Sequence, residues 1–392
     1  MEEKKKFQMP VFLMIAGAYS SYTIGAGFAS GNEVMQFFGS WGVPTAFVAA
    51  LCTLVMTAYF CASAYRAGQS NTFEKPHDVY VYFCGKYVGW VFEVFVIIFV
   101  LGIFATMFSG AGSMLNQFLG LNQYVGSIII GIIASVVVFG GFKRVAAVLG
   151  YAGILIIAFV VVVGIITLAS PNASLDQSAN VAQMVADGKI WQANLMELPP
   201  LSFIPGFAGL NGPVLEGFCY AGVCLIVSIP FIVAQGRQTK NMKEALGSGI
   251  FAGIFFSVGM ILVICILLGN FQYITDANGD MQPIPALAAV EGLLGRGTGA
   301  VYMIILIAGI FTTITGYLWL LTDRVFGEVK NKKSNIFTAI LMIIGVVLGG
   351  VLPFSAVVNF LWPLSGFAGI IFVIFMIVKD IRASGAKKDQ AA

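Results

Sequence analysis

Inside the apolar run from Pro10 to Phe38, the stretch SYTIGAGFASGNE (Ser21 to Glu33) concentrates residue types that a plain membrane helix has no use for. Four hydroxyl side chains, Ser20 to Thr23, lead into glycines at i and i+2, and a carboxylate follows at Glu33. Glycine weakens a helix interior, so the chain is expected to unwind at Gly25-Ala26-Gly27. Unwinding would free carbonyls near Tyr22 and Thr23 for a cation. It would also expose amides at the start of an outer half-helix, Phe28 to Phe38, where an anion such as a carboxylate is favoured. The competing reading is that the glycines only let helices pack closely.

Other residues share this character. Tyr220-Ala221-Gly222 followed by Ser228-Ile229-Pro230 predicts a second break in another apolar run. Paired breaks would place Gly25, Ala26, Gly27, Phe28, Tyr220, Ala221 and Gly222 around one binding site, with Thr106 on its wall. Three carboxylates, Glu33, Glu93 and Glu216, lie within or at the edge of apolar runs, where an unpaired charge costs several kcal/mol. On a straight helix Glu33 would stand about 9 Å beyond Gly27, able to gate the outer vestibule, bind an ammonium or carry a proton. Glu216 lies one turn before Tyr220 on the same face, as an outer-gate or proton-carrying candidate. Glu93, near the cytoplasmic start of its span, is a gating or proton-carrying candidate that would pair with a Lys or Arg at the inner gate, with a purely structural ion pair as the competing reading. Adjacent Thr312 and Thr313 offer oxygen to a hard cation, although a threonine often bonds its own i−4 carbonyl instead.

These residues need a scaffold, and composition defines it. Of 392 residues, 59% are hydrophobic and 10% charged, with mean hydropathy +0.92. Soluble domains carry about 25% charged residues, so the chain is an all-α membrane protein. Ten apolar runs are long enough to span, at about 10–38, 44–65, 88–118, 122–141, 145–169, 211–235, 245–271, 298–322, 335–351 and 354–378. With the N-terminus cytoplasmic, all of the 21 basic residues except Lys189 and Arg296 fall inside, as the positive-inside rule requires. Both termini are then cytoplasmic. The spans divide into a first repeat (1–170) and a second (210–380), with an external loop at 171–209 and a cytoplasmic tail at 381–392. A short amphipathic helix is expected in the loop near Val181 to Met196. Five is odd, so two equivalent halves must insert with opposite orientation, and corresponding breaks in spans 1 and 6 mark a mid-membrane site.

Ile24-Gly25-Ala26-Gly27-Phe28 and Phe218-Cys219-Tyr220-Ala221-Gly222 resemble the first- and sixth-span motifs of the amino acid–polyamine–organocation superfamily, which has the LeuT-type fold. The longer string GAGFASGNEVMQFFGSWG resembles the bacterial YkvI-type permeases within it. The resemblance implies alternating access, an amino-acid-like substrate and a bacterial cytoplasmic membrane. It also implies that Thr312 and Thr313 meet carbonyls near Tyr22 and Thr23 around a sodium ion. Two departures stand out: ten spans where many members have twelve, and Gln235-Gly236-Arg237-Gln238 where many carry Glu-x-x-x-Asn-Pro.

The expected function is therefore secondary active transport of a small amino acid or related zwitterion, coupled to sodium. Some proton-coupled relatives place a lysine in mid-span 5, and none stands between Arg144 and Ala169 here. Proton coupling or exchange through Glu33 or Glu216 is the alternative, and an ion channel a weaker one, since no carbonyl-filter motif or acidic ring is present. One histidine, six scattered cysteines and no metal or Walker motif argue against an enzyme, a cofactor site or a primary pump. Nucleic-acid binding is not expected, and the partners are substrate and bilayer.

Overall fold

A computed structural model describes residues 10–73, 76–193, 212–276, 278–282, 284–327, 331–350 and 354–389. The first apolar run forms three helices, α1 (Val11–Thr23), α2 (Ala26–Ser30) and α3 (Asn32–Phe37). There follow α4 (Thr45–Ser70), α5 (Pro76–Cys84), α6 (Lys86–Leu119), α7 (Gln123–Phe139), α8 (Phe142–Ala169) and α9 (Val181–Ala186). The second half comprises α10 (Pro213–Gly236), α11 (Met242–Gly269), α12 (Phe271–Ile274), α13 (Pro285–Leu294), α14 (Arg296–Phe326), α15 (Lys332–Gly349) and α16 (Phe354–Asp389). Eight of these, α4, α6, α8, α10, α11, α14, α15 and α16, are long and apolar enough to cross a membrane. The remaining two expected spans are α7, with 17 residues, and the broken set α1–α3.

The break in the first span follows from its hydroxyl residues. Thr23 Oγ1 donates to the carbonyls of Tyr19 and Ser20, both at 3.0 Å, in competition with the helical ladder. Ile24 and Gly25 are extended, and α2 starts at Ala26. A second interruption was not expected: Gly31 adopts φ +86°, a left-handed conformation suited to glycine, and splits the outer half-helix.

The expected break in the sixth span does not occur. α10 is continuous from Pro213 to Gly236, through Tyr220-Ala221-Gly222 and with Pro230 inside it. Gly222 serves packing instead, because a Cβ there would run into the Gly366 carbonyl of α16. Near Pro230, which lacks a donor, hydroxyls of Tyr22 and Ser228 donate to the carbonyls of Val227 and Cys224.

Close glycine contacts set the helix neighbours. Gly17 of α1 sits on Gly150 and Gly153 of α8, while Gly222 of α10 sits on Gly366 and Gly369 of α16. First and fifth spans thus meet through the same glycine spacing as sixth and tenth. α1 also packs on α11 as α10 packs on α4, and α6 on α15 as α14 on α7. Without a hydrophobic driving force in lipid, backbone approach at small residues supplies much of the association.

Two boundaries are corrected. α16 continues to Asp389, so most of the expected tail is helical. The loop helix ends at Ala186, where left-handed Gly188 turns the chain and Lys189 N–H returns to Met184 O at 2.9 Å. Residues 194–209 of the expected loop lie outside the described residues.

Candidate functional site

The unwound Ile24–Gly25 segment faces a cavity of ≈ 20 Å³, room for about one water. Thr23, Gly25 and Glu33 line it from the first span, and Ile103 and Met107 from α6. Tyr220, Val223, Cys224 and Val227 of α10, Tyr317 of α14 and Trp362 of α16 complete the wall. Two aromatic clusters adjoin it through Tyr317 and Tyr220. Near the end of α1, Tyr22 stacks on Phe231 at 4.6 Å and meets Tyr317 at 5.7 Å edge-on, while Phe231 contacts Trp319 at 5.7 Å. On the far side the Tyr220 ring is held between Phe37 and Phe38, at 5.3 and 5.0 Å. Apart from Thr23, every residue lining the cavity is buried.

Glu33 lies elsewhere than a straight helix would put it. The turn at Gly31 folds its carboxyl back onto Gly27, where a Cβ would overlap Oε1, Cδ and Cγ of Glu33. The side chain is 3% exposed, with Oε2 3.5 Å from the Tyr220 hydroxyl. Among the described residues, Oε1 has no hydrogen-bond partner.

Thr312 and Thr313 do meet the end of α1, through different carbonyls from those expected. Thr312 Oγ1 lies 3.0 Å from Ser21 O and 2.8 Å from Gly309 O. Thr313 Oγ1 lies 2.8 Å from Ile24 O and 3.1 Å from Gly309 O. The carbonyls flanking the Tyr22–Thr23 pair therefore take the place of that pair. Tyr22 turns its hydroxyl to Val227, and Thr23 O accepts the Gly25 N–H at 3.0 Å. One hydroxyl proton cannot fully serve two acceptors, so lone pairs remain among these five oxygens. They are neutral hard donors of the kind that hold alkali and alkaline-earth cations. Among the described residues, no three His, Cys, Asp or Glu side chains form a metal-binding group.

Other expected residues fall away from the cavity. Thr106 Oγ1 bonds its own helix at Ile103 O, 2.7 Å, because the i−3 carbonyl is the nearest acceptor in an apolar wall. Phe28 packs against Phe256, and Ala221 and Gly222 face other helices. Ala26 opens α2 through its backbone. Glu216 is buried in the first turn of α10, outside the cavity lining, where the helix dipole favours its charge. Glu93 forms a buried ion pair with Arg324 of α14, whose other nitrogen reaches the Tyr80 hydroxyl of α5 at 3.4 Å. Sequence reading overlooked Ser21, Ile24, Gly309, Met107, Cys224 and Trp362 as site residues. For the carbonyl donors no side-chain signal exists; for Trp362 the signal was an indole beside Pro363 inside an apolar run.

The fold is that of LeuT-type transporters. The chain is similar to MhsT, solved in complex with L-phenylalanine, with a TM-score of 0.62 and 13% identity over 93% of this chain and 88% of that one. It is also similar to a Na+-coupled sialic acid symporter solved in a substrate-bound outward-open state, with a TM-score of 0.61 and 11% identity over 94% and 79% of the two chains. In sequence it is a homologue of the uncharacterized membrane protein YkvI of Bacillus subtilis (strain 168), 22% identical over 365 residues, 93% of this chain and 95% of the relative. No protein-family model matches the chain. It is a multi-pass membrane protein with the LeuT-type fold.

Proposed function

We propose that the chain is a sodium-coupled secondary transporter for a small amino acid or related zwitterion, built as a ten-span inverted repeat with both termini cytoplasmic. The observation that carries this reading is the convergence of Thr312, Thr313 and the Ser21, Ile24 and Gly309 carbonyls beside the unwound segment. A cation there would bridge the end of α1 to α14, so its binding is coupled to the position of the broken span. That segment also borders the cavity, so the substrate would be sensitive to the same position. The matching glycine contacts of α1 with α8 and α10 with α16 support the repeat. Opening one aromatic cluster while the other stays shut would expose the cavity to one side at a time. Glu33 would contribute the negative charge of the site, and the ion pair of Glu93 would hold the inner ends of α6 and α14 together.

The test is uptake of radiolabelled amino acids into proteoliposomes under a sodium gradient. Saturable, sodium-driven accumulation is expected. Flux unaffected by replacing sodium with choline, yet driven by a pH gradient, would move the coupling to Glu33 and reject the sodium assignment. Linear flux with a single-channel conductance would reject transport by alternating access.

A further inference from the structure

The proposed cation site is built from neutral oxygens, and the carboxyl of Glu33 is not one of its ligands. It is buried on the cavity wall, and its Oε1 has no partner among the described residues. The nearby Trp362 indole N–H is a neutral donor toward the carboxyl, with geometry short of a full hydrogen bond. The Tyr220 hydroxyl, at 3.5 Å, is at the outer limit of one. Among the described residues, the cavity lining includes no Lys, Arg or His. A carboxylate in an apolar interior with no cation costs several kcal/mol, so a chain that retains one needs a partner supplied from outside or a proton.

The surroundings favour the organic cation. Tyr220, Tyr317 and Trp362 line the same space, and aromatic faces attract cations. Phe37 and Phe38 clamp the Tyr220 ring and keep its hydroxyl beside the carboxyl. The left-handed turn at Gly31 and the absence of a side chain at Gly27 are both needed to bring the carboxyl to the cavity. Such a placement would serve no purpose for a residue that only paired with a neighbouring helix at the membrane surface.

We propose that Glu33 is the counter-ion for the ammonium group of the substrate. The amine is the group the site selects, and the carboxylate of an amino acid is dispensable. This rests on the transporter reading above and narrows its substrate class to compounds carrying a protonated amine. A carboxylate without an amine would be repelled by Glu33 and would leave its charge unpaired.

Matched triplets test this with purified full-length protein in thermal-shift measurements, since a ligand of the folded state raises its melting temperature. Each triplet contains an amino acid, the amine left by removing its carboxyl and the acid left by removing its amino group. Suitable sets are alanine, ethylamine and propionate; leucine, isoamylamine and 4-methylpentanoate; phenylalanine, phenethylamine and 3-phenylpropionate. In at least one triplet the amino acid and the amine are expected to stabilise the protein and the acid to have no effect. Glu33→Gln should weaken amine binding at least tenfold, while Glu33→Asp should retain part of it. Stabilisation by amino acid and acid but not amine would overturn the inference and leave the zwitterion reading standing. Undiminished amine binding by Glu33→Gln would likewise overturn it and return Glu33 to proton transfer. No stabilisation by any member would overturn both readings. The triplets are measured on the wild-type protein, so they decide the matter even if the variants fail to fold.

Discussion

Thr313→Ala isolates one oxygen of the proposed cation site. Thr313 Oγ1 stands 2.8 Å from Ile24 O and 3.1 Å from Gly309 O, fully inside the protein. The substitution leaves four of the five converging oxygens in place. Interactions of a polar group with a charge are worth about 1.5–3 kcal/mol, and each 1.4 kcal/mol is about tenfold in affinity. The sodium concentration for half-maximal uptake should therefore rise roughly 10- to 100-fold. Thr313→Val keeps the shape without the oxygen and should match Ala, whereas Thr313→Ser keeps the oxygen and should stay near wild type. Substrate affinity at saturating sodium should change far less, because Thr313 is not among the residues lining the cavity. The assay is initial uptake into proteoliposomes across a sodium titration with choline as replacement. An unchanged sodium dependence in both Ala and Val variants would refute the site, and the hydroxyl would then be doing no more than joining α14 to α1.

Gly27→Ala should weaken substrate binding at least tenfold in a thermal-shift titration while the protein still folds, because its Cβ overlaps the Glu33 carboxyl. Gly25→Ala should be milder, since its Cβ would meet only Met107 at 3.4 Å and Thr313 at 4.0 Å. Gly222→Val should lower detergent-solubilised stability sharply, because the obstacle is the Gly366 backbone. Gly247→Ala, with open space around it, should be neutral or stabilising by about 0.5–1 kcal/mol. Removing one partner of the buried Glu93–Arg324 pair should cost about 3–5 kcal/mol, and Glu93→Leu with Arg324→Met together should recover much of it in chemical denaturation. Asp380→Asn at the partly buried Arg66 pair, where Tyr59 and Ser63 also donate to the carboxylate, should cost about 1–3 kcal/mol in the same measurement.

Most of the scaffold was legible in the residues alone because lipid imposes one rule: a spanning segment must be long, apolar and helical. That rule located α4, α6, α8, α10, α11, α14 and α15 to within a few residues. The unwinding at Gly25 was also local, set by hydroxyls competing for carbonyls of their own helix beside a flexible residue. What failed was the inference from a local weakness to a break. Tyr220-Ala221-Gly222 and Pro230 weaken α10, but Gly366 and Gly369 pack against Gly222 and hold it helical, a contact 144 residues away in sequence from Gly222 to Gly366. Thr312 and Thr313 could be recognised as oxygen donors, yet the carbonyls facing them were found only after α1 and α14 had packed, since every residue offers a carbonyl. Glu33 shows the division most clearly. Its type and depth were evident from the sequence, and its place was not: the left-handed turn at Gly31 and the ring clamp around Tyr220 bring the carboxyl onto Gly27. Chain chemistry determined which groups could act, and packing between distant segments decided which of them share a cavity.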